Sequence, residues 1–129
     1  MSISFTVNED NPVFVRLYCH GRYTRDSLLS VFDQAIDVAT SKSRRAALIE
    51  IWDVTGTPPD VFDRYRLGVG AARIQRGKTP IVAMAVVGSE PMIHPKRIGE
   101  TVFLNRGGLG RVFTQLEEAV AWLEQQSTE

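Results

Sequence analysis

Two short stretches of this chain are apolar almost without interruption, and they constrain the fold more than any other feature. Ala46 to Trp52 is apolar except for Glu50, and Ile81 to Val87 is apolar throughout. A strand with one wet face alternates apolar and polar residues, so an unbroken apolar strand is one covered on both faces. The segment between them reads as a helix running to about Arg76, with Val61, Tyr65, Val69 and Ala72 as its buried stripe and Pro58 or Pro59 in its first turn. Two buried strands separated by a helix pair in parallel through a right-handed crossover. A chain of 129 residues is long enough to bury its own core as a single domain, 1–129, without disulfide or metal.

The flanking segments complete the pattern. Residues 2–7 and 12–20 read as an N-terminal hairpin turned by Asn8 to Pro12. In its second strand Val13, Val15, Leu17 and Cys19 face one way, while Phe14, Arg16, Tyr18 and His20 face the other. Gly21 is expected to break that strand, and Thr24 to cap a helix reaching about Thr40 with Leu28, Phe32, Ala35, Ile36 and Ala39 inward. A third helix is expected from near Pro95 to a left-handed stop at Asn105-Arg106-Gly107, with Ile98, Val102 and Phe103 inward. A flexible glycine connector, 107–110, leads to a short edge strand at Arg111-Val112-Phe113. Thr114 and Glu117 have the spacing of a capping box for a last helix carrying Leu116, Ala119, Val120 and Leu123. The class is α/β, in the order β-β-α-β-α-β-α-β-α: a single-layer mixed, mainly parallel sheet of about four or five strands, an N-terminal β-hairpin and about four helices.

Charge excludes some functions. The fifteen basic and fifteen acidic residues balance, so no long-range field favours nucleic acid or an anionic membrane. Cys19 is the single cysteine, which rules out an internal disulfide and fits a reducing cytoplasm. The N-terminus has no signal-peptide pattern, and no apolar run is long enough to span a bilayer, so no integral membrane association is expected. Arg64, Arg66, Arg73, Arg76 and Lys78 read as a solvated row on one helix and its end.

The order and spacing of several short blocks resemble the SpoIIAA-like family, the branch of STAS-like proteins related to anti-sigma-factor antagonists. The matching blocks are Gly21-x-Tyr23-Thr24, Leu48 to Asp53 with Gly56, the Pro80 to Gly88 strand, and Glu100-Thr101-Val102-x-x-Asn105-Arg106-Gly107. Val112-Phe113 and Glu118-Ala119-x-x-Trp122-Leu123 follow. The resemblance covers nearly the whole chain. It implies a small bacterial α/β signalling domain that works by binding partners, without catalysis. In signalling STAS domains a serine at the start of the helix after the central strand is phosphorylated, which switches release of a partner kinase. The corresponding stretch here, Asp53-Val54-Thr55-Gly56-Thr57-Pro58-Pro59, contains no serine, so Thr55 or Thr57 would take that role.

The functional expectations follow. The loop from Asp53 to Asp60, with Asp53, Thr55, Gly56 and Thr57, is the candidate phosphorylation or anion site. It lies at the carboxyl end of a parallel strand and before a helix N-terminus. Phe14, Arg16, Tyr18 and His20 are the candidate interface, since aromatic and arginine side chains anchor protein contacts. The expected partner is another protein or a second copy, as a homodimer. Cys19 and His20 are strand neighbours on opposite faces and cannot act together. His94 reads as a helix-start residue. No catalytic triad, metal centre or cofactor is expected. The alternative function is a carrier or sensor of a small apolar or anionic molecule in a pocket between helix and sheet, lined by Trp52, Phe62, Tyr65, Met84, Met92 and Phe103.

Overall fold

The structure, a computed structural model, describes residues 3–126. The strands are β1 (Ile3–Asn8), β2 (Phe14–Arg22), β3 (Ala46–Thr55), β4 (Ala83–Val87) and β5 (Gly110–Phe113). The helices are α1 (Arg25–Ser41), α2 (Val61–Arg76), α3 (Ile98–Asn105) and α4 (Leu116–Gln126). The strands form one five-stranded sheet in the order β1-β2-β3-β4-β5, in which β1 and β2 are antiparallel and every other pair is parallel. The expected α/β class and element order are those observed.

Both faces of the centre of the sheet are covered, which explains the unbroken apolar strands. Val15, Leu17, Ala47, Ile49 and Met84 pack with α1, α2 and α3, including Leu28, Phe32, Ile36, Ala71 and Phe103. Leu48, Ala83, Ala85 and Val87 point the opposite way, toward Ala119 and Leu123 of α4. Trp122 tilts against Phe113, with ring centroids 6.1 Å apart. The inward stripe expected for α1 is buried in full. Its N-terminus closes in a reciprocal cap, with the Ser27 amide donating to Thr24 Oγ1 and the Thr24 amide to Ser27 Oγ. After α3, Gly107 adopts a left-handed φ of 81°, the backbone state that a helix stop of this kind needs and glycine supplies.

Several boundaries differ from expectation. Gly21 does not end β2: it pairs with Ile3 and Val54, and the strand runs on to Arg22. β3 likewise continues through Thr55. Tyr18 pairs with Glu50 and His20 with Asp53, so β3 carries one residue more than β2 over this step. The irregularity places Trp52 and Asp53 together on the α4 side of the sheet. Pro58 and Pro59 precede α2, whose cap is Asp60. β4 begins at Ala83, leaving Ile81 exposed. α3 begins at Ile98, later than Pro95 suggests. α4 begins at Leu116, so its cap position falls on Gln115. No hydrogen bond joins Thr114 to Glu117 among the described residues, and the expected capping box does not form.

The buried stripe of α2 matches the expected one only at Ala72. Val61 and Tyr65 are exposed, while Arg64, Gly68, Ala71, Ala72 and Gln75 face inward. Gly68 sits where α2 crosses α3, and a Cβ there would lie 2.6 Å from the Gly99 carbonyl oxygen. Gln75 is 2% exposed. Its Nε2 donates to the carbonyls of Val82 and Leu109, at 2.7 and 2.9 Å, and its Oε1 accepts from the Leu109 amide at 2.8 Å. The glycine connector is not slack, because Gly108 and Gly110 pack against the Phe103 ring. At the outer edge of the sheet, Glu100 accepts from the Val112 amide at 2.7 Å and Arg97 donates to the Val112 carbonyl. Glu100 of α3 and Arg97 at its cap thus take up the Val112 groups that a further strand would use.

Candidate functional site

The end of β3 and the start of α2 form a polar corner built from both strands. Tyr18 donates to Asp53 Oδ2 at 2.6 Å, and this bond raises the Tyr18 pKa. Thr55 is still in the strand, and its hydroxyl donates to the Gly21 carbonyl at 3.2 Å. Gly56 turns the chain at a φ of 100°, and Thr57 follows, exposed, before the two prolines. Asp60 then accepts from the Asp63 amide at 2.7 Å, so the N-terminus of α2 is already met by a carboxylate. Asp63 accepts from the Tyr23 hydroxyl and, at 3.0 Å, from Arg25. Burial, with Asp63 adding to it, pushes the Tyr23 pKa upward. Tyr23, Arg25, Thr57, Asp60, Phe62 and Asp63 line one open groove. The structure therefore brings Thr57 to the groove and leaves Asp53 and Thr55 on the neighbouring strand surface.

Beside the groove, α2 presents apolar side chains to solvent. Val61 and Phe62 are each 61% exposed and Tyr65 42%. The Arg66 guanidinium lies 4.5 Å from the Phe62 ring centre, and Arg106 lies 5.3 Å from that of Tyr65. Arg106 also donates to the Tyr65 hydroxyl at 3.0 Å. Val61 and Tyr65 were expected in the core because their spacing matches a helical stripe. The competing signal was Arg64, Gly68 and Gln75 at equally helical spacing, which hydrophobicity alone does not score as buried.

The expected interface row on β2 divides in two. Arg16, Tyr18 and His20 lie on the sheet face that α4 shares, outside the cover of α4. Arg16 pairs with Glu50, a buried carboxylate that also accepts from Trp52 Nε1 at 3.2 Å. The Glu50 hydrogen bond raises the Arg16 pKa. Phe14 is on the same face but only 4% exposed, packed in the cluster under α4. It belongs to the core and not to an available surface.

A third feature is a cavity of about 120 Å³ between the sheet and the helices α1, α2 and α3. Met84, Met92 and Phe103 line it, as expected. Trp52 does not, since it packs on the α4 side, and Phe62 and Tyr65 point outward. Arg64, expected in a solvated row, lines the cavity and is 8% exposed. Its side chain is buried because the Nη atoms each donate at 2.8 Å, one to the Met92 carbonyl and the other to that of Pro91. Burial lowers the Arg64 pKa. Lys78 stays at the surface, paired with Asp33 and Asp37 of α1.

Cys19 is fully buried, and burial first, then the charge of Glu50, pushes its thiol up to about 12. His94 Nδ1 accepts from the Lys96 amide at 3.0 Å. No three histidine, cysteine or acidic side chains gather in a metal-binding group among the described residues. No helix among them is long and apolar enough to cross a membrane.

No protein-family model matches the chain, and no curated protein matches it in sequence. Solved structures do match. One is an anti-sigma factor antagonist from Mycobacterium paratuberculosis, 18% identical, with a TM-score of 0.58 and 95% of each chain covered. Another is the anti-sigma factor antagonist SpoIIAA in its unphosphorylated form, 13% identical, with a TM-score of 0.49 over 95% of this chain and 97% of that one. The chain carries the SpoIIAA-like, STAS-type α/β fold of the anti-sigma factor antagonists.

Proposed function

We propose that this chain is a cytoplasmic regulatory domain of the SpoIIAA-like type, which works by docking a protein partner on the groove and exposed face at the start of α2. The observation that carries this reading is the exposed pair Phe62 and Tyr65, each stacked by an arginine, with Phe62 lining the same groove as Thr57. Rigid aromatic and arginine side chains are the usual anchors of protein interfaces. The shared fold supports a partner of the anti-sigma factor class as the first to test. Thr57 is the better of the two candidate switch residues, because it is exposed at the groove while the Thr55 hydroxyl is engaged by Gly21. A phosphate there would meet Asp60 and Asp63 and compete for Arg25, and the added charge would repel an acidic partner.

A second copy of the chain is the alternative partner. The uncovered β2 surface with Arg16, Tyr18 and His20 supports that reading, and sedimentation would read it as a dimer.

The test is affinity capture from the native host with three baits: wild type, a Phe62→Ala/Tyr65→Ala double variant, and Thr57→Glu. A protein bound directly by wild type should be lost from both variants, and phosphopeptide mapping should find phosphate on Thr57. Equal retention of every partner by the double variant would sink the docking surface. Absence of phosphate on Thr55 and Thr57 under all growth conditions would sink the switch.

A further inference from the structure

Arg64 leaves one donor unmatched inside the fold. Its Nε is the one buried side-chain nitrogen or oxygen without a hydrogen-bond partner among the described residues. Its other nitrogens bond two neutral carbonyls, and none of the described ion pairs includes it. Asp60 and Asp63 act on the charge without a direct bond to it, so the Nε–H stays unmatched, and an anion at that edge of the guanidinium would pair with it. Most of the remaining wall is apolar, with Leu28, Phe32, Ala71, Met84, Val86 and Phe103, while Tyr23, His94, Arg97, Glu100 and Arg111 also border the cavity. Its volume of about 120 Å³ is below the ~150 Å³ of an apolar protein cavity that holds benzene, so the apolar body it takes is no larger than a single ring.

We propose that this cavity is a binding site for a small carboxylate with a compact apolar body, of the size of benzoate. The body fills the space between Phe32, Met84 and Phe103, and the carboxylate accepts from Arg64 Nε. Arginine suits this task because the Met92 and Pro91 carbonyls hold its two Nη atoms and leave Nε–H as a charged donor to a carboxylate. The site faces inward from α2, whereas the proposed partner surface faces outward, so the two ideas can fail separately.

Benzoate and toluene are the probes, since they share the ring and differ in the acceptor. Titration of the intact chain is followed by NMR of the arginine Nε–Hε signals. Benzoate should shift the Arg64 signal and bind at least about tenfold more tightly than toluene, the margin expected of a charged hydrogen bond. Arg64→Met should weaken benzoate about tenfold and leave toluene nearly unchanged. Ala71→Leu, which fills the cavity, should abolish both. Toluene binding as tightly as benzoate, or an unmoved Arg64 signal at millimolar benzoate, would overturn the proposal. So would benzoate binding that survives Ala71→Leu in a folded protein, and this readout stands even where Arg64→Met does not fold.

Discussion

Replacing Gln75 by methionine is a direct test of how this fold is held together. Methionine has a similar length and can fill the same space, so the packing loss is small. What disappears is a set of three hydrogen bonds to Val82 and Leu109. The Leu109 carbonyl keeps a partner, because it also accepts from the Met84 amide at 3.2 Å. The Val82 carbonyl and the Leu109 amide lose theirs. Each orphaned buried group costs about 1–3 kcal/mol, so the variant should lose about 3 kcal/mol. That is a large part of the roughly 5–15 kcal/mol by which a domain is stable. With a urea m-value of about 1–3 kcal/mol/M, the midpoint should fall by about 1.5 M. Urea unfolding followed by tryptophan fluorescence measures this. Gln34→Met is the control, since Gln34 bonds only Ser30 on an exposed face, and it should change stability by less than about 0.5 kcal/mol. A loss below about 1 kcal/mol for Gln75→Met, at unchanged m-value, would refute the argument that this side chain ties α2 to β4 and to the approach to β5.

Gly68→Ala should destabilise by about 1–3 kcal/mol, because the new methyl group meets the α3 backbone and α3 must shift; a thermal midpoint equal to wild type would contradict this close crossing. Cys19, with its thiol at about 12, should resist a thiol reagent at pH 8 in the native protein and react once urea unfolds it. The same shift has a pH consequence. The folded pKa lies above the ordinary 9.0, so the stability contributed by the neutral thiol is complete below pH 9. It declines as pH rises toward 12, and equilibrium unfolding at pH 8 and pH 10.5 should differ in that direction.

Much of the architecture was legible because its signals are local. Unbroken apolar strands, the Thr24 cap and the stop at Gly107 each rest on a few neighbouring residues; the cap and the stop lie where the pattern placed them, and the two strands do so to within a few residues at one end. The α2 face was not legible, because Arg64 and Gln75 are buried by their hydrogen bonds to backbone carbonyls from other elements. Those partners lie far along the chain, and no periodicity encodes them. The split of the β2 row has a similar cause. Alternation places Phe14, Arg16, Tyr18 and His20 on one face, but only α4 decides how far along that face the cover extends. The Asp53 to Thr57 stretch was assigned the wrong geometry. Its first three residues continue a strand, because β2 runs far enough to pair with them.

The two bonds that α3 and its cap make to Val112 give the sheet a closed end and an open end. A strand arriving beside β5 would first have to displace Glu100 and Arg97, whereas β1 is the opposite margin. Growth by strand addition therefore has one available direction. Two copies joined β1 to β1 would use up both available margins and terminate there, as a two-fold pair.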